Sequence, residues 1–342
     1  MQRTRRCIQA LFADRRIMRI SSMATMITGG AGFIGSCLAR LLIEEGEKPV
    51  LFDIAPVQGP LIELEGRFVF ERGSLSHLSV IMDCVEKHCV DRIFHLGGML
   101  SLPSENNPWD AFDANVAGVW NILEAARIKK MRQVVYGSTI AVYSKDISGD
   151  VIDDRTIQRP SSFYGVSKTF GELAGRWYHR RFGLDFRGVR LPSIVGPGAK
   201  TAHMSIYNAW AIEHSIRGLP YEINCDPETR CPALYYKDAA LALKMLSEAD
   251  PSRIETMIYN IAGITPQYSA GELAALIERR IPGAKLSFKP DPVVVELLRE
   301  IGTLKISDEC ARKEWGWRLA YPLAELVEDF IREFAQHGKY YR

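Results

Sequence analysis

The run Gly29-Gly30-Ala31-Gly32-Phe33-Ile34-Gly35 constrains this chain more than any other stretch. Glycines packed this closely disfavour the interior of a helix or strand, because glycine loses the most backbone freedom on ordering. They suit a sharp turn. An apolar run at 26–28 leads in, and Phe33, Ile34, Leu38, Leu41 and Leu42 follow with the spacing of one helix face. A second apolar run, 49–52, ends at Asp53. Strand, glycine turn, helix, strand and acid form the first half of a dinucleotide-binding unit. In that unit Gly29 makes the turn, Gly32 lets a pyrophosphate approach the backbone, and Gly35 lets helix and sheet close together. The helix start at Phe33 and Ile34 offers free N–H groups and the positive end of the helix dipole. Asp53 accepts hydrogen bonds from the adenosine ribose and repels a 2′-phosphate. Ile54 and Ala55 follow it, with no arginine. NAD is the expected cofactor.

The chain has 342 residues and is 47% hydrophobic, enough for a large core. A formal net charge of +2 gives no reason to expect nucleic-acid binding. The seven cysteines include no CxxC pair, so no metal site is expected and a reducing compartment fits. No apolar run reaches membrane-spanning length, and the expected location is cytoplasmic. Residues 1–23 are basic and precede the first strand. They read either as a targeting segment or as an extension upstream of a start at Met18 or Met23, the reading preferred here.

Further strands are expected at 67–71, 92–96, 133–136 and 184–190, with helices at 78–88, 108–130 and 162–182 and polar loops at 101–107 and 145–160. Strands alternating with helices make a parallel sheet covered on both faces. After Arg190 the rhythm breaks at Pro192, Pro197 and Gly198. Helices then follow at 203–217, 239–248 with Asp238 as cap, 270–280 with a Ser269/Glu272 reciprocal cap, 308–315 and 323–334. Short strands fall at 221–225, 257–260 and 285–289. The expected fold is α/β: a Rossmann-type doubly wound parallel sheet with a smaller, interleaved C-terminal substrate lobe. The NAD-binding core spans 24–190. Residues 191–342 are mostly the lobe, with 233–262 returning to the core.

The second chemical signal is Tyr164-Gly-Val-Ser-Lys168, just inside a helix. Four-residue spacing puts both side chains on one face. A free tyrosine titrates near pH ~10 and is a poor base at neutrality. A lysine cation beside it is expected to lower that value, and also to hold the nicotinamide ribose. Tyr164 then removes the proton of a substrate alcohol while the adjacent carbon gives hydride to NAD. Thr139, at the end of the fifth strand, is placed to hold the same oxygen, and Ser138 to support that oxygen or another polar group. His95 follows an apolar strand and reads as a core residue.

These motifs resemble the extended short-chain dehydrogenase/reductase family, the NAD-dependent epimerase/dehydratase group. They are Gly29/Gly32/Gly35, Asp53, His95-Leu-Gly-Gly98, Asn115-Val-Ala-Gly118-Val-Trp-Asn121, Ser138-Thr139 and Tyr164/Lys168. The resemblance implies that Leu96, Gly97, Gly98 and Asn115 lie along the cofactor and Pro192 near its carboxamide. It places Ser74 and Leu75 at the adenine end, where the family commonly has Asp at the Ser74 position. The nearest branch is the short-chain threonine 3-dehydrogenases, matched by His95-LGGMLS, Tyr164-GVSKTFGEL and Asp226-PETRCPALYYKDA. That branch puts a substrate serine at Ser101. Thr201 and His203 join the substrate-side candidates, with Arg230 as anion clamp.

Two segments depart from the branch: Gly198-AKTAHMSIY replaces a GGTTDYA-like stretch, and Leu298-REIGTLKISD lacks a Trp. Nucleotide-sugar epimerases often carry Asn where Ser193 stands. The expected reaction is NAD-dependent oxidation of a secondary alcohol on a small polar, carboxylate-bearing substrate, threonine-like or a sugar acid. The alternative is sugar or nucleotide-sugar epimerisation. Helices 110–130 and 162–182 carry apolar residues, including Trp120 and Trp177, beyond what one sheet face needs. Relatives commonly pair these helices, so a homodimer is expected.

Overall fold

The computed structural model describes residues 23–144, 146–147, 151–201, 203–302 and 304–341. The expectation for the N-terminal extension therefore falls, apart from Met23, outside the described residues. The strands of the main sheet are β1 (Ala24–Thr28), β2 (Val50–Asp53), β3 (Val69–Arg72), β4 (Val90–His95), β5 (Gln133–Thr139), β7 (Asp185–Leu191) and β11 (Ile258–Asn260). They pair in the order β11-β7-β5-β4-β1-β2-β3, all parallel. Short strands outside it are β6 (Val151–Ile152), β8 (Ser193–Val195), β9 (Pro220–Ile223), β10 (Ala233–Tyr235), β12 (Lys285–Phe288) and β13 (Lys305–Ile306). These make three two-stranded pairs: β10 with β8, β12 with β9, and β13 with β6.

The helices are α1 (Phe33–Glu44), α2 (Leu78–Lys87), α3 (Ser101–Asn106), α4 (Pro108–Ala111), α5 (Gly118–Lys129), α6 (Phe163–Phe182), α7 (Tyr207–Ile216), α8 (Tyr236–Glu248), α9 (Ala270–Arg280), α10 (Pro292–Gly302), α11 (Glu309–Trp315) and α12 (Leu323–His337).

Period-two alternation explains why the strands read as continuous apolar runs. Met26, Val50, Ile93, Val134 and Phe186 face one core with residues of α2, α5 and α6. Ile27, Leu51, Phe94, Val135 and Val189 face the other, with residues of α1, α8 and the C-terminal elements. Both faces are covered, so the central strand positions are apolar, and polar residues such as Thr28, His95, Gln133, Ser138 and Arg190 fall toward the strand ends. Strand order reverses between β1 and β4, which opens a crevice at their C-terminal ends, the usual ligand position in such a sheet.

Several expectations need correction. The loop at 101–107 contains α3, and the single helix at 108–130 is α4, a π-helical turn at Phe112–Ala117, and α5. The polar stretch 145–160 contains β6, which pairs with β13 far along the chain. The helix expected from His203 starts at Tyr207. Asp238 does not cap α8, which starts earlier, at Tyr236. Its buried carboxylate instead accepts the amides of Ala320 (2.9 Å) and Tyr321 (3.1 Å), and burial pushes it up to about 6. A local cap pattern was outcompeted by two distant backbone donors.

Candidate functional site

The glycine turn closes the crevice between β1 and β4. Gly29 has φ +66, and a Cβ there would lie 2.8 Å from the Gly97 Cα, backbone against backbone. At Gly35 a Cβ would lie 2.1 Å from the Gly29 carbonyl oxygen. Only glycine lets turn and helix close this far. Gly32 is the N-cap of α1 and brings no side-chain cap, and the first turn of that helix carries no acid. Its leading amides and dipole are left for an anion. Asp53 braces the turn: Oδ2 accepts from the Ala31 amide and Oδ1 from the Ala55 amide, both at 3.0 Å. A carboxylate carries more acceptor positions than these two bonds use. Cradle, bare helix start and carboxylate together fit a dinucleotide with a free ribose diol.

Across the crevice, Thr28 organises the loop after β4. Its hydroxyl accepts from the amides of Leu96 and Gly97, each at 3.2 Å, and therefore donates to His95 Nδ1 at 2.7 Å. His95 is buried, and burial together with Lys168 lowers it to about 3, so it is a neutral structural ring. Asn115, in the π-helical turn, pins the same loop. It accepts from the Met99 amide (2.7 Å) and donates to the Met99 carbonyl (3.0 Å) and to Ser167 Oγ (3.2 Å). A Cβ on Gly98 would collide with it at 2.6 Å. Leu75 buttresses this wall. It would touch a Cβ on either Gly97 or Gly118 at 2.9 Å, and its carbonyl accepts from Asn121 at 2.8 Å. Ser74 is engaged locally with Ser76 Oγ, at 2.8 Å. Pro192 is buried just past β7, packed toward Gly263.

The reactive side chains meet at the end of β5. Ser162 caps α6 by accepting from the Gly165 amide, which starts the helix just before Tyr164. Lys168 is buried. Its Nζ donates to the Gly137 carbonyl at 2.8 Å and sits 4.8 Å from the Tyr136 ring centre and 5.8 Å from that of Tyr164. Burial pushes Tyr164 up to about 12, and the neighbouring Thr139 hydroxyl, which favours the ionised phenol, does not offset this. Burial likewise lowers Lys168 to about 8, against a raising influence from Glu172. The expectation that Lys168 depresses the tyrosine is thus corrected for this state of the protein: desolvation is the dominant influence.

Ser138 takes the second of its two expected roles, supporting another polar group and not the substrate oxygen. Its buried hydroxyl donates to Glu172 at 2.5 Å rather than turning toward a substrate oxygen. Alternation along β5 put it on the α6 side, beside a carboxylate that no local motif announced.

The substrate-side candidates are less gathered. Ser101 is exposed at the start of α3, and Thr201 is exposed. His203 Nδ1 pairs with Ser205 Oγ at 3.0 Å, and Ser205 with Ser193 Oγ at 2.6 Å. Thr139 pairs with Leu191 across the sheet, so Ser193 stands two residues beyond the catalytic strand end. Among the described residues no hydrogen bond joins Ser101, Thr201 or His203 to Tyr164. Arg230 is exposed and its guanidinium is engaged by the Gln267 carbonyl and by Glu272, at 3.1 Å in the latter case. It ties the turn after β9 to the start of α9 through Nη1 alone, and a guanidinium has further N–H donors on Nη2 and Nε.

Among the described residues no group of His, Cys, Asp and Glu could hold a metal ion, and no helix is long and apolar enough to cross a membrane.

The sequence pattern of the NAD dependent epimerase/dehydratase family matches residues 25–262. The mitochondrial L-threonine 3-dehydrogenase of Bos taurus is 29% identical over 329 residues, covering 95% of this chain and 86% of the bovine one. The holo form of an L-threonine dehydrogenase from Cupriavidus necator superposes with a TM-score of 0.82 at 28% identity, covering 91% of this chain and 99% of that one. UDP-glucose 4-epimerase from Thermotoga maritima shares the fold, with a TM-score of 0.79 at 22% identity over 92% of this chain and 99% of that one.

Proposed function

The chain belongs to the NAD dependent epimerase/dehydratase family, and on that premise we propose that it oxidises a small carboxylate-bearing secondary alcohol of the L-threonine type. The observation that carries this reading is the convergence of Tyr164, Thr139 and Lys168 at the mouth of the dinucleotide cradle. It is an NAD-dependent dehydrogenase of the extended short-chain type. NAD, when bound, would supply the hydride acceptor. Thr139 orients the substrate hydroxyl, Tyr164 takes its proton, and the Lys168 ammonium stabilises the phenolate. Burial holds Tyr164 protonated at neutral pH in the protein alone, and Thr139 and Lys168 are the groups of this chain that would favour its ionised form.

The cradle residues proposed to hold NAD are Gly29, Gly32, Phe33, Ile34, Asp53, Leu96, Gly97, Gly98 and Asn115, with Ser74, Leu75 and Pro192 at its edges. Residues 24–190 are proposed as the cofactor core and most of 191–342 as the substrate lobe. The experiment is a panel of L-threonine, other hydroxy amino acids, aldonates, uronates and nucleotide sugars with excess NAD. Steady NADH release tracking ketone formation supports oxidation. An inverted product without net NADH would replace it by epimerisation.

We further propose a homodimer through helices 110–130 and 162–182. Trp120 and Trp177 stack at 6.0 Å yet remain 39% and 42% exposed, beside exposed Leu173 and Phe182. An apolar patch of this kind calls for a partner. Sedimentation at micromolar concentration should give a dimer and, for Trp177→Glu, a monomer; a wild-type monomer rejects the proposal. The proposed compartment is the cytoplasm, consistent with the free cysteines Cys37, Cys84, Cys89, Cys225, Cys231 and Cys310. Fractionation of the full chain into mitochondria would overturn it.

A further inference from the structure

Tyr164, Lys168 and Glu172 follow one another at four-residue steps along α6 and so line one face of it. Two of them grip consecutive residues of β5. Lys168 Nζ donates to the Gly137 carbonyl at 2.8 Å, and Glu172 Oε1 accepts from Ser138 Oγ at 2.5 Å. The next residue is Thr139. Glu172 is only 1% exposed, and Arg190, 3% exposed, holds both its oxygens: Nε at 2.9 and 3.1 Å, Nη2 at 2.7 Å. Gln158 donates to the same carboxylate. Arg190 is the register partner of Ser138 on the neighbouring strand, and it donates onward to the Tyr143 hydroxyl at 2.6 Å. A buried ion pair is weak evidence for stability, since desolvation offsets its attraction and apolar residues can fill the same space. What this one provides is a fixed strand tip and a fixed negative charge one helical turn from Lys168.

We infer that Glu172, locked by Arg190, is a positioning residue that clamps Ser138 so that Thr139 faces Tyr164, and whose charge keeps Lys168 an ammonium where Tyr164 must give up its proton. The inference rests on the proposed roles of Tyr164, Lys168 and Thr139. Glu172 is the charge that opposes the burial of Lys168. The other titratable groups facing this cluster come from every neighbouring element. They are Tyr164 and Arg176 on α6, Tyr136 on β5, His95 on β4, Arg190 on β7, and Tyr143 and Asp154 from the segment after β5. Burial lowers His95 to about 3, raises Tyr136 well above its usual value and raises Tyr143 to about 12, so all three are neutral near pH ~8. Arg190 is raised, its burial outweighed by Glu172, and stays cationic. Asp154 and Arg176 couple to Arg190 rather than to Lys168. Lys168 is therefore the member of the cluster whose charge changes in the weakly alkaline range.

The test follows the pH dependence of kcat and kcat/KM in the full-length enzyme, with NAD and the alcohol oxidised in the substrate panel, L-threonine first. Glu172→Gln should move the alkaline limb down by ~0.5 pH unit or more and lower kcat, with KM for NAD near wild type. Glu172→Asp should restore the limb. Ser138→Ala should lower kcat by about threefold or more, through misplacement of Thr139, and leave the limb where it was. If Glu172→Gln does not fold, the pair E172Q/R190M, which leaves no charge buried alone, carries the same measurement. An unmoved limb in the folded variant, or wild-type kcat in Ser138→Ala, overturns the inference. Tyr164→Phe separates the two levels. Wild-type turnover in that variant would defeat the base assignment itself, whereas an inactive Tyr164→Phe beside an unmoved Glu172→Gln limb defeats only the role of Glu172.

Discussion

Replacing Asp53 by alanine tests cofactor choice most directly. Asp53 accepts the Ala31 and Ala55 amides at 3.0 Å each, and its remaining acceptor capacity is proposed for the adenosine ribose. Hydrogen bonds to a charged group contribute about 1.5–3 kcal/mol, and the low end applies at this half-exposed site, where water replaces the missing acceptor. Removing one ribose hydrogen bond then weakens NAD binding about tenfold, and removing two raises its Kd by ~100-fold. The effect on NADP has the opposite sign. A 2′-phosphate about 5 Å from the carboxylate is repelled by ~1–3 kcal/mol per unit charge, depending on the local dielectric. Arg72 is the register partner of Asp53 on β3, exposed, with its Nε on the Ile54 carbonyl at 3.1 Å. Once Asp53 is gone, that cation acts unopposed. The preference for NAD over NADP should therefore fall by ~100-fold or more. Asp53→Asn, which keeps an acceptor for the turn, should recover most of the NADP gain with less weakening of NAD. Both dissociation constants should be measured by calorimetry near ~0.15 M salt, where exposed charges are screened beyond ~8 Å. A ratio within about threefold of wild type in Asp53→Ala would refute the reasoning.

Three further outcomes follow from the same site. Tyr164→Phe should lower kcat by ~10²–10⁴-fold with little change in NAD affinity, read by steady-state kinetics and direct cofactor titration. Lys168 is lowered to about 8 in the folded chain from 10.5, so the folded state binds its proton less tightly than the unfolded one. Its stability cost is full below the folded value and fades as pH rises to the unfolded one; Lys168→Met should abolish turnover yet stabilise the chain at pH ~7 by ~1–3 kcal/mol. Denaturant melts at pH ~7 and ~10 check this, and an equal or larger gain at the higher pH contradicts it. His95 falls from 6.5 to about 3 on folding, so its contribution is present above the unfolded value and lost as pH drops toward the folded one. His95→Gln should flatten the acid side of the stability profile across that window, and an unchanged slope would show that other groups set it.

What the sequence made legible was local. The glycine turn, Asp53 and the Tyr164/Lys168 pair each declare themselves within a few consecutive residues, because turn geometry and helix spacing are short-range rules. The Ser269/Glu272 cap was readable for the same reason, and both halves of it form. What stayed hidden depends on which distant groups meet. Ser138 sits in the expected strand, but its partner Glu172 is a helix away and Arg190 a strand beyond that. Asp238 looked like a cap until the chain brought Ala320 and Tyr321 to it. Arg230 read as an anion clamp, and the sequence did not show that one of its nitrogens also braces the acid of a neighbouring cap. Polar side chains can satisfy themselves in several ways, and only the tertiary arrangement chooses among them.

The π-helical turn at Phe112–Ala117 has a consequence of phase. Such a turn holds one residue more than an α-helical turn, and each residue advances a helix by about 100°. Asn115 lies within it, meshed with the loop beside the cofactor cradle. Beyond it, Asn121 reaches the Leu75 carbonyl and Trp120 stacks on Trp177. A π turn takes up its extra residue by widening locally, so α5 keeps the phase it would have in a helix one residue shorter. The turn works like an expansion joint, giving Asn115 its place at the cradle without disturbing the apolar helix face beyond. Removing one residue from 112–117 would let the segment close to an ordinary α-helix, keeping Trp120 and Asn121 in phase while costing the loop its hold through Asn115.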